Sequence, residues 1–404
     1  DMKIIKRSRN YYVKNVYDTM LAEQLINLGL SFKKANLEAL VYKYVGVNID
    51  KEPRNTFADY GQKFDTYQLD YAINDVVPLH LIRDLQATTL HQEELEHAAK
   101  LEFDFLVPLC EMELNGISID SDKWNIIMGD VDKDRLEIKA IIQEMLSSVE
   151  SQTTLFGVPL LNIDSNLQLK EALSKYGIEL KNTSQPTLSK FAGLPIIDAI
   201  LDYRKAEKLI STYAQSLLDK INPITGRLHT DFKQMVSTGR MSSANPNLQN
   251  IPKKQKYRSC FVAAEGNSLI TCDMSSAELR ILGNLSRDPV FLECFKNNID
   301  LHTRSASEIF KVPMNAVDES MRDACKALSF GLMYGLSKFG LARRLKISES
   351  DAQSLINNYF NVFKNVKKYL DKSATDAVMR GYSLSISGRR RYYSRPANDH
   401  PDRD

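Results

Sequence analysis

Arg322-Asp323-Ala324-Cys325-Lys326-Ala327-Leu328-Ser329-Phe330-Gly331-Leu332-Met333-Tyr334-Gly335 is the stretch that decides the fold. A spacing of four places Arg322, Lys326, Phe330 and Tyr334 on one slowly drifting stripe of a helix. Ala324, Leu328 and Leu332 fall on the other side and can pack inward. One face therefore offers two cations a turn apart and then two aromatics. Such a face suits a triphosphate clamped by Arg and Lys, with a base stacked on the ring beyond. The alternative is a solvated charged face whose aromatics sit in the core.

Upstream, Ser268-Leu269-Ile270-Thr271-Cys272-Asp273-Met274-Ser275-Ser276-Ala277-Glu278-Leu279-Arg280 reads as a short apolar strand, an Asp, and a helix. A carboxylate at a strand's carboxyl end is well placed to hold a hard cation such as Mg²⁺ beside substrate phosphates. The alternative is that Asp273 only caps the helix. Further upstream, the run from Thr238 through Arg240, Asn247, Gln249 and Asn250 to Pro252 is rich in small and amide residues. Such a loop can approach a polyanion closely, and Lys253, Lys254, Lys256 and Arg258 follow at once. An ordinary basic surface loop is the competing reading. Arg380 and Arg389-Arg390-Arg391, with Tyr392 and Tyr393, fit either a nucleic-acid contact or a solvated loop. Tyr71 and Asp75, four apart on a helix, match a phenol and carboxylate around a metal and its water, a spacing that structure alone also produces.

The rest of the chain is ordinary in composition. It has 404 residues, 43% hydrophobic and 26% charged, which excludes a disordered or fibrous protein. The length fits about two to four domains. A net charge of +2 leaves any polyanion partner to local patches. No run approaches the roughly 18 apolar residues of a membrane span. Five cysteines, an odd count without a CxxC pair, fit a reducing compartment. Apolar spacing predicts helices over 20–28, 37–44, 67–85, 93–116, 122–149, 167–176 and 196–221. Strand-like runs are expected at 117–119, 227–232, 258–263 and 268–272, and helices from 275 to about 380. Asp1 in place of Met and a polar last segment suggest a fragment or one half of a split protein.

In combination these segments resemble family A DNA polymerases, the bacterial and phage DNA polymerase I type. Asp273-Met274-Ser275-Ser276-Ala277-Glu278-Leu279-Arg280 is similar to the family's DYSQIELR motif. The run from Arg322 to Gly335 is similar to the fingers helix RxxxKxxxFGxxYG. The run from Thr238 to Pro252 is close to TGRLSSxxPNLQNIP, and Asp300-Leu301-His302 fits DIH or DLH. The order fits, and the resemblance covers essentially the whole chain. It implies a multidomain α+β fold with a partial RNase H-like 3′–5′ exonuclease domain in residues 1–92. A helical thumb (93–221), the N-terminal part of an antiparallel palm (222–300) and helical fingers (301–404) would follow, with the palm remainder absent.

The activity implied is template-directed phosphoryl transfer, in which a primer 3′-OH attacks the α-phosphate of a dNTP and pyrophosphate leaves. The family uses two metal ions about 3.5–4 Å apart, here expected to be Mg²⁺. The resemblance makes Asp273 a catalytic metal ligand, with the backbone carbonyl of Met274 as an additional one. It gives Arg322, Lys326 and His302 to the triphosphate, Phe330 and Tyr334 to the base and sugar pocket, and Glu278 to the gate against a 2′-OH. Phe330, the family's common residue there, implies discrimination against dideoxynucleotides. Arg240, Asn247 and Gln249 would meet primer–template DNA, and Lys208, Ser211 and Thr212 would grip the duplex. Tyr71 and Asp75 fit the third exonuclease motif, YxxxD, and Asp1 the Asp of the second. The first, DxE, would lie upstream of Asp1.

The sequence departs from the commonest bacterial pattern at Met274 (Tyr), Ser276 (Gln) and Ser329 (Asn). The family's second catalytic Asp lies in a late HDE motif, preceded by a QGxAAD-like helix. No HDE occurs in this sequence. The resemblance thus implies an incomplete polymerase; the alternative is a catalytically silent, DNA-binding half of a split polymerase whose second polypeptide carries the other Asp. A nuclease using only the exonuclease residues ranks below both. The expected setting is the cytoplasm of a bacterial or phage-infected cell, with no membrane partner.

Overall fold

The computed structural model describes residues 2–30, 34–58, 63–147, 161–236 and 238–393. These residues are mostly helical, with three two-stranded antiparallel ladders. Among them, no helix is long and apolar enough to cross a membrane. The chain divides into two discontinuous compact units: 2–16 with Asp104–Ile270, and Tyr17–Phe103 with 271–393.

In the first unit the long helix Ser121–Leu146 packs along Pro195–Tyr213. Asp120 caps its start by accepting the Lys123 N–H at 2.9 Å. One core cluster gathers Ile142, Leu146, Leu169, Ile197, Ile200 and Tyr203. A second surrounds Trp124, which is fully buried against the rings of Tyr257 and Phe261. The Trp124 indole N–H donates to the Tyr213 carbonyl at 2.9 Å. With that carbonyl engaged, the helix expected to run to 221 stops at Tyr213, and only the turn Gln215–Leu218 follows.

The helices expected at 20–28, 37–44, 122–149 and 167–176 are present as Thr19–Ile26, Leu37–Val45, Ser121–Leu146 and Asn166–Lys175, whereas two others are broken near prolines. The span 93–116 is two helices, Glu96–Asp104 and Leu106–Asn115, because Pro108 has no N–H and its ring crowds the Asp104 carbonyl. Likewise 67–85 is Thr66–Val76 and then Pro78–Gln92, with Pro78 in the first turn. Gly116 does end its helix: at φ +56, a Cβ there would lie 2.4 Å from the Leu228 carbonyl oxygen.

Strands are shorter than expected. Ser118–Ile119 pairs with Phe261–Val262, after a helical turn Gln255–Arg258 that takes up the start of the expected 258–263 strand. Asp231–Lys233 pairs with Ser242–Ala244, whereas Leu228 makes only isolated bridges. Residues 268–272 form no strand. No described segment lies alongside to complete a ladder, and Ile270 is 86% exposed.

In the second unit, the helices Thr19–Ile26, Leu37–Val45 and Pro78–Gln92 meet around Glu23, which is buried. Its carboxylate accepts from Lys43 Nζ at 2.6 Å, the Tyr44 hydroxyl at 2.7 Å and Gln86 Nε2 at 3.1 Å. Burial alone would raise its pKa, but these bonds hold it below the usual value. A second core joins Leu279, Phe291, Leu328, Tyr359 and Phe363. Beside it, the buried Asp288 caps two helices: it accepts from Val290 N at 3.1 Å, Phe291 N at 3.4 Å and Asn365 N at 3.2 Å.

The hairpin Tyr382–Leu384 with Arg390–Tyr392 docks on the early part of this unit. Tyr392 N–H donates to the Leu28 carbonyl at 2.8 Å. Gly29, at φ +90, permits the approach, since a Cβ would fall 2.3 Å from the Tyr392 carbonyl oxygen. Arg390 pairs with Glu93 at 2.7 Å and Glu94 at 3.3 Å, and Arg389 pairs with Glu102. The basic cluster at 389–391 is therefore largely engaged within the protein, which answers its reading as a solvated loop.

Candidate functional site

The helix Glu319–Met333 forms as its spacing requires. Asp318 caps it by accepting the Met321 N–H at 2.7 Å, while Cys325, Leu328, Ser329 and Leu332 bury its inner side. Its other side meets three partners from elsewhere in the unit. Arg322 donates from Nε at 3.1 Å and from Nη2 at 2.9 Å to the two carboxylate oxygens of Asp300. The rings of Phe330 and His302 lie 5.8 Å apart, tilted by 45°. The Tyr334 hydroxyl donates to Glu278 Oε1 at 2.5 Å. Lys326 is exposed and makes no hydrogen bond or ion pair among the described residues.

The electrostatics follow from these contacts. Burial would raise the Asp300 pKa, but the bonds from Arg322 and from the Thr303 N–H and hydroxyl bring it to about 2. His302 is buried, its Nδ1 without a hydrogen-bond partner. Burial pushes its pKa down; Asp300 opposes this, and Arg322 and Lys326 add to it. Arg322, Lys326, Asp300 and His302 thus combine two cations, one carboxylate and a neutral imidazole at pH 7, with a second carboxylate, Glu278, at Tyr334.

Asp273 lies in an exposed loop. It does not cap the following helix: that position is Ser276, in the left-handed region at φ +53, with no side-chain cap. The structural alternative for Asp273 therefore does not apply. The Met274 carbonyl accepts the Ala277 N–H at 3.2 Å, and its side chain is exposed. Among the described residues, no group of three His, Cys, Asp or Glu side chains gathers as a metal site. A two-ion set, which needs bridging carboxylates, does not fit the donors present at Asp273.

Tyr71 and Asp75 share a different partner. Lys51 Nζ donates to Asp75 Oδ1 at 2.8 Å and lies 5.4 Å from the Tyr71 ring centroid. An ammonium thus sits where the sequence suggested a metal. Asp1 lies outside the described residues.

In the first unit, the 238–252 loop is braced from within. The Thr230 hydroxyl lies 2.6 Å from Ser243 Oγ and 2.8 Å from the Pro246 carbonyl oxygen, and Ser243 Oγ accepts the Leu248 N–H at 2.9 Å. Asn247 accepts the Gln249 N–H at 3.1 Å. Gln249 and Arg240 are exposed. Lys208, Ser211 and Thr212 are exposed on one face of Pro195–Tyr213, at the i, i+3, i+4 spacing. Sequence reasoning did not single out Asp300 as a site residue, nor Lys51, Thr230 or Ser243. Asp300 stood in the quoted Asp-Leu-His triplet and Ser243 in the quoted 238–252 run; Lys51 and Thr230 carried no local signal.

Comparison with known proteins agrees with the motifs. Residues 134–403 match the family described as DNA polymerase family A, and residues 1–87 match one described as 3′–5′ exonuclease. The chain is 34% identical over 395 residues to DNA polymerase I of Caldicellulosiruptor bescii, covering 94% of this chain and 43% of that one. It is 33% identical over 392 residues to DNA polymerase I of Bacillus subtilis, covering 93% and 43%. The chain thus spans less than half the length of these relatives. A solved structure, the POL domain of Pol1 from M. smegmatis in complex with DNA primer-template and dNTP, superimposes with a TM-score of 0.78 at 30% identity, covering 96% of this chain and 66% of that one. Family A polymerases are metal-dependent. With more than half its length matched, this chain belongs to DNA polymerase family A.

Proposed function

We propose that the protein is a DNA-directed DNA polymerase, adding dNMP from dNTP to a primer 3′-OH. The observation that carries this reading is the outer face of Glu319–Met333, with its cations followed by aromatics. Arg322 and Lys326 bind the triphosphate and offset charge on the departing phosphates. Neutral His302 can donate a hydrogen bond to a phosphate oxygen. Phe330 and Tyr334 border the base and sugar, and Glu278, tied to the Tyr334 hydroxyl, bars a 2′-OH. Arg240, Asn247 and Gln249, with Lys208, Ser211 and Thr212, meet primer–template DNA. The thumb, palm and fingers boundaries at 92, 221 and 300 belong to the same proposal, as does a cytoplasmic setting in a bacterial or phage-infected cell.

Mg²⁺ is the expected ion, and Asp273 and the Met274 carbonyl its expected ligands. Among the described residues no group of three His, Cys, Asp or Glu side chains gathers to complete that site. That same gap favours a second reading: a DNA-binding piece that is silent in synthesis. Its partner polypeptide has no support in the comparisons. Nuclease action is disfavoured by the Lys51–Asp75 pair.

Primer extension by the 404-residue chain with Mg²⁺ and dNTPs separates the two readings. Extension that disappears in Asp273→Ala supports synthesis by this chain; DNA binding without extension supports the silent piece. Either way, Arg322→Ala and Lys326→Ala should each weaken dNTP binding about tenfold or more. Unchanged dNTP affinity in both variants would refute the nucleotide face.

A further inference from the structure

The same edge of Arg322 that would grip a phosphate is already occupied. Its Nε and Nη2 donate side by side to both oxygens of Asp300, at 3.1 and 2.9 Å. A guanidinium edge meets carboxylate and phosphate oxygens with the same paired geometry. We propose that Asp300 is an internal stand-in for phosphate on Arg322, a counter-anion that an incoming polyphosphate displaces and to which Arg322 returns when the leaving phosphates depart. This rests on the reading of the helix face as a nucleotide site.

The surroundings suit exchange rather than a fixed structural pair. The Asp300 carboxylate is tethered independently of Arg322, because Oδ1 accepts the Thr303 N–H at 2.7 Å and the Thr303 hydroxyl at 2.8 Å. It therefore stays in place when Arg322 swings away. Both partners are open to solvent, at 39% and 43% side-chain exposure, so water can replace either contact during the swap. The carboxylate also remains charged at every pH near neutral. Lys326, one turn further along, has no such partner among the described residues. The two cations thus differ in kind: Lys326 is open to any anion, whereas Arg322 yields only to one that outcompetes a tethered carboxylate. A triphosphate, with several charges reaching Lys326 and Arg322 together, does so. Inorganic phosphate, reaching one of them, does not. The contact selects for polyphosphate over inorganic phosphate.

The test is titration of the 404-residue chain with inorganic tripolyphosphate, and separately with inorganic phosphate, by calorimetry. Asp300→Asn keeps the shape and the helix cap but removes the charge; Asp300→Ser, also a capping residue, is the second variant. Far-UV circular dichroism checks that both fold. The expected result is tripolyphosphate binding about fivefold tighter in both variants, with the preference over inorganic phosphate reduced. If Arg322→Ala binds tripolyphosphate as well as the unaltered chain, the nucleotide reading falls and the stand-in role falls with it. If Arg322→Ala binds more weakly but both Asp300 variants bind tripolyphosphate no tighter than the unaltered chain, the nucleotide reading survives. Asp300 would then be no competitor, and the proposal is overturned.

Discussion

Asp273 and Asp288 flank the same short helix, Ala277–Ser286, and are used in opposite ways. Asp288 is 1% exposed and accepts backbone N–H groups from two helix starts. Asp273 is exposed in a loop and holds nothing in the described protein. Both precede helices, so composition and position do not distinguish them. The difference lies in the chain that follows. After Asp288, Pro289 turns straight into a helix and presents the Val290 and Phe291 N–H groups to the carboxylate. After Asp273, the chain runs on to Ser276, whose left-handed backbone starts the helix without its help.

The contrast is open to direct attack. Asp288→Ala should have the largest effect, about 3 kcal/mol of lost stability in urea unfolding, because three N–H groups, one buried and two partly buried, lose their acceptor. A loss under about 1 kcal/mol would erase the distinction. Asp300, half-exposed and half-structural, should fall between. Its folded pKa of about 2 lies below the ordinary aspartate value of 3.8, so its contribution is complete above pH 3.8 and disappears as the pH falls toward 2. Solvent screening reduces that contribution to about 1 kcal/mol, measurable as a difference between the unaltered chain and Asp300→Asn in acid unfolding curves. Asp273→Ala should change stability least, by under about 0.5 kcal/mol in the same urea experiment. A larger change would mean that Asp273 has a structural partner after all.

Much of the candidate site was legible because a helix converts spacing into a face. Arg322, Lys326, Phe330 and Tyr334 needed only the 3.6-residue period. Glu278 was named through the resemblance, but the contacts themselves were not legible, because Asp300 and Glu278 reach Arg322 and Tyr334 from 22 and 56 residues away through packing. Two of the departures in the fold differ in origin. At Pro78 and Pro108 the breaking signal was in the sequence, and apolar spacing was allowed to override it. At 268–272 the apolar run was suited to a strand, but a strand also requires a neighbour, which no local pattern supplies. The arginines at 389–390 show the same limit: their charge was evident, but Glu93, Glu94 and Glu102 were too distant to be connected with them.

The docked hairpin also sets a timetable. Arg390 and Glu93 are 297 residues apart along the chain. At about 5–20 residues per second, a ribosome takes roughly 15–60 s to make what lies between them. For that interval the early helices carry acidic side chains whose basic partners do not yet exist. Closing so long a loop costs more entropy than a local contact does, although less if the intervening residues have already folded. The second unit is therefore incomplete until its hairpin is made, and that hairpin must find an acidic surface synthesised 297 residues earlier.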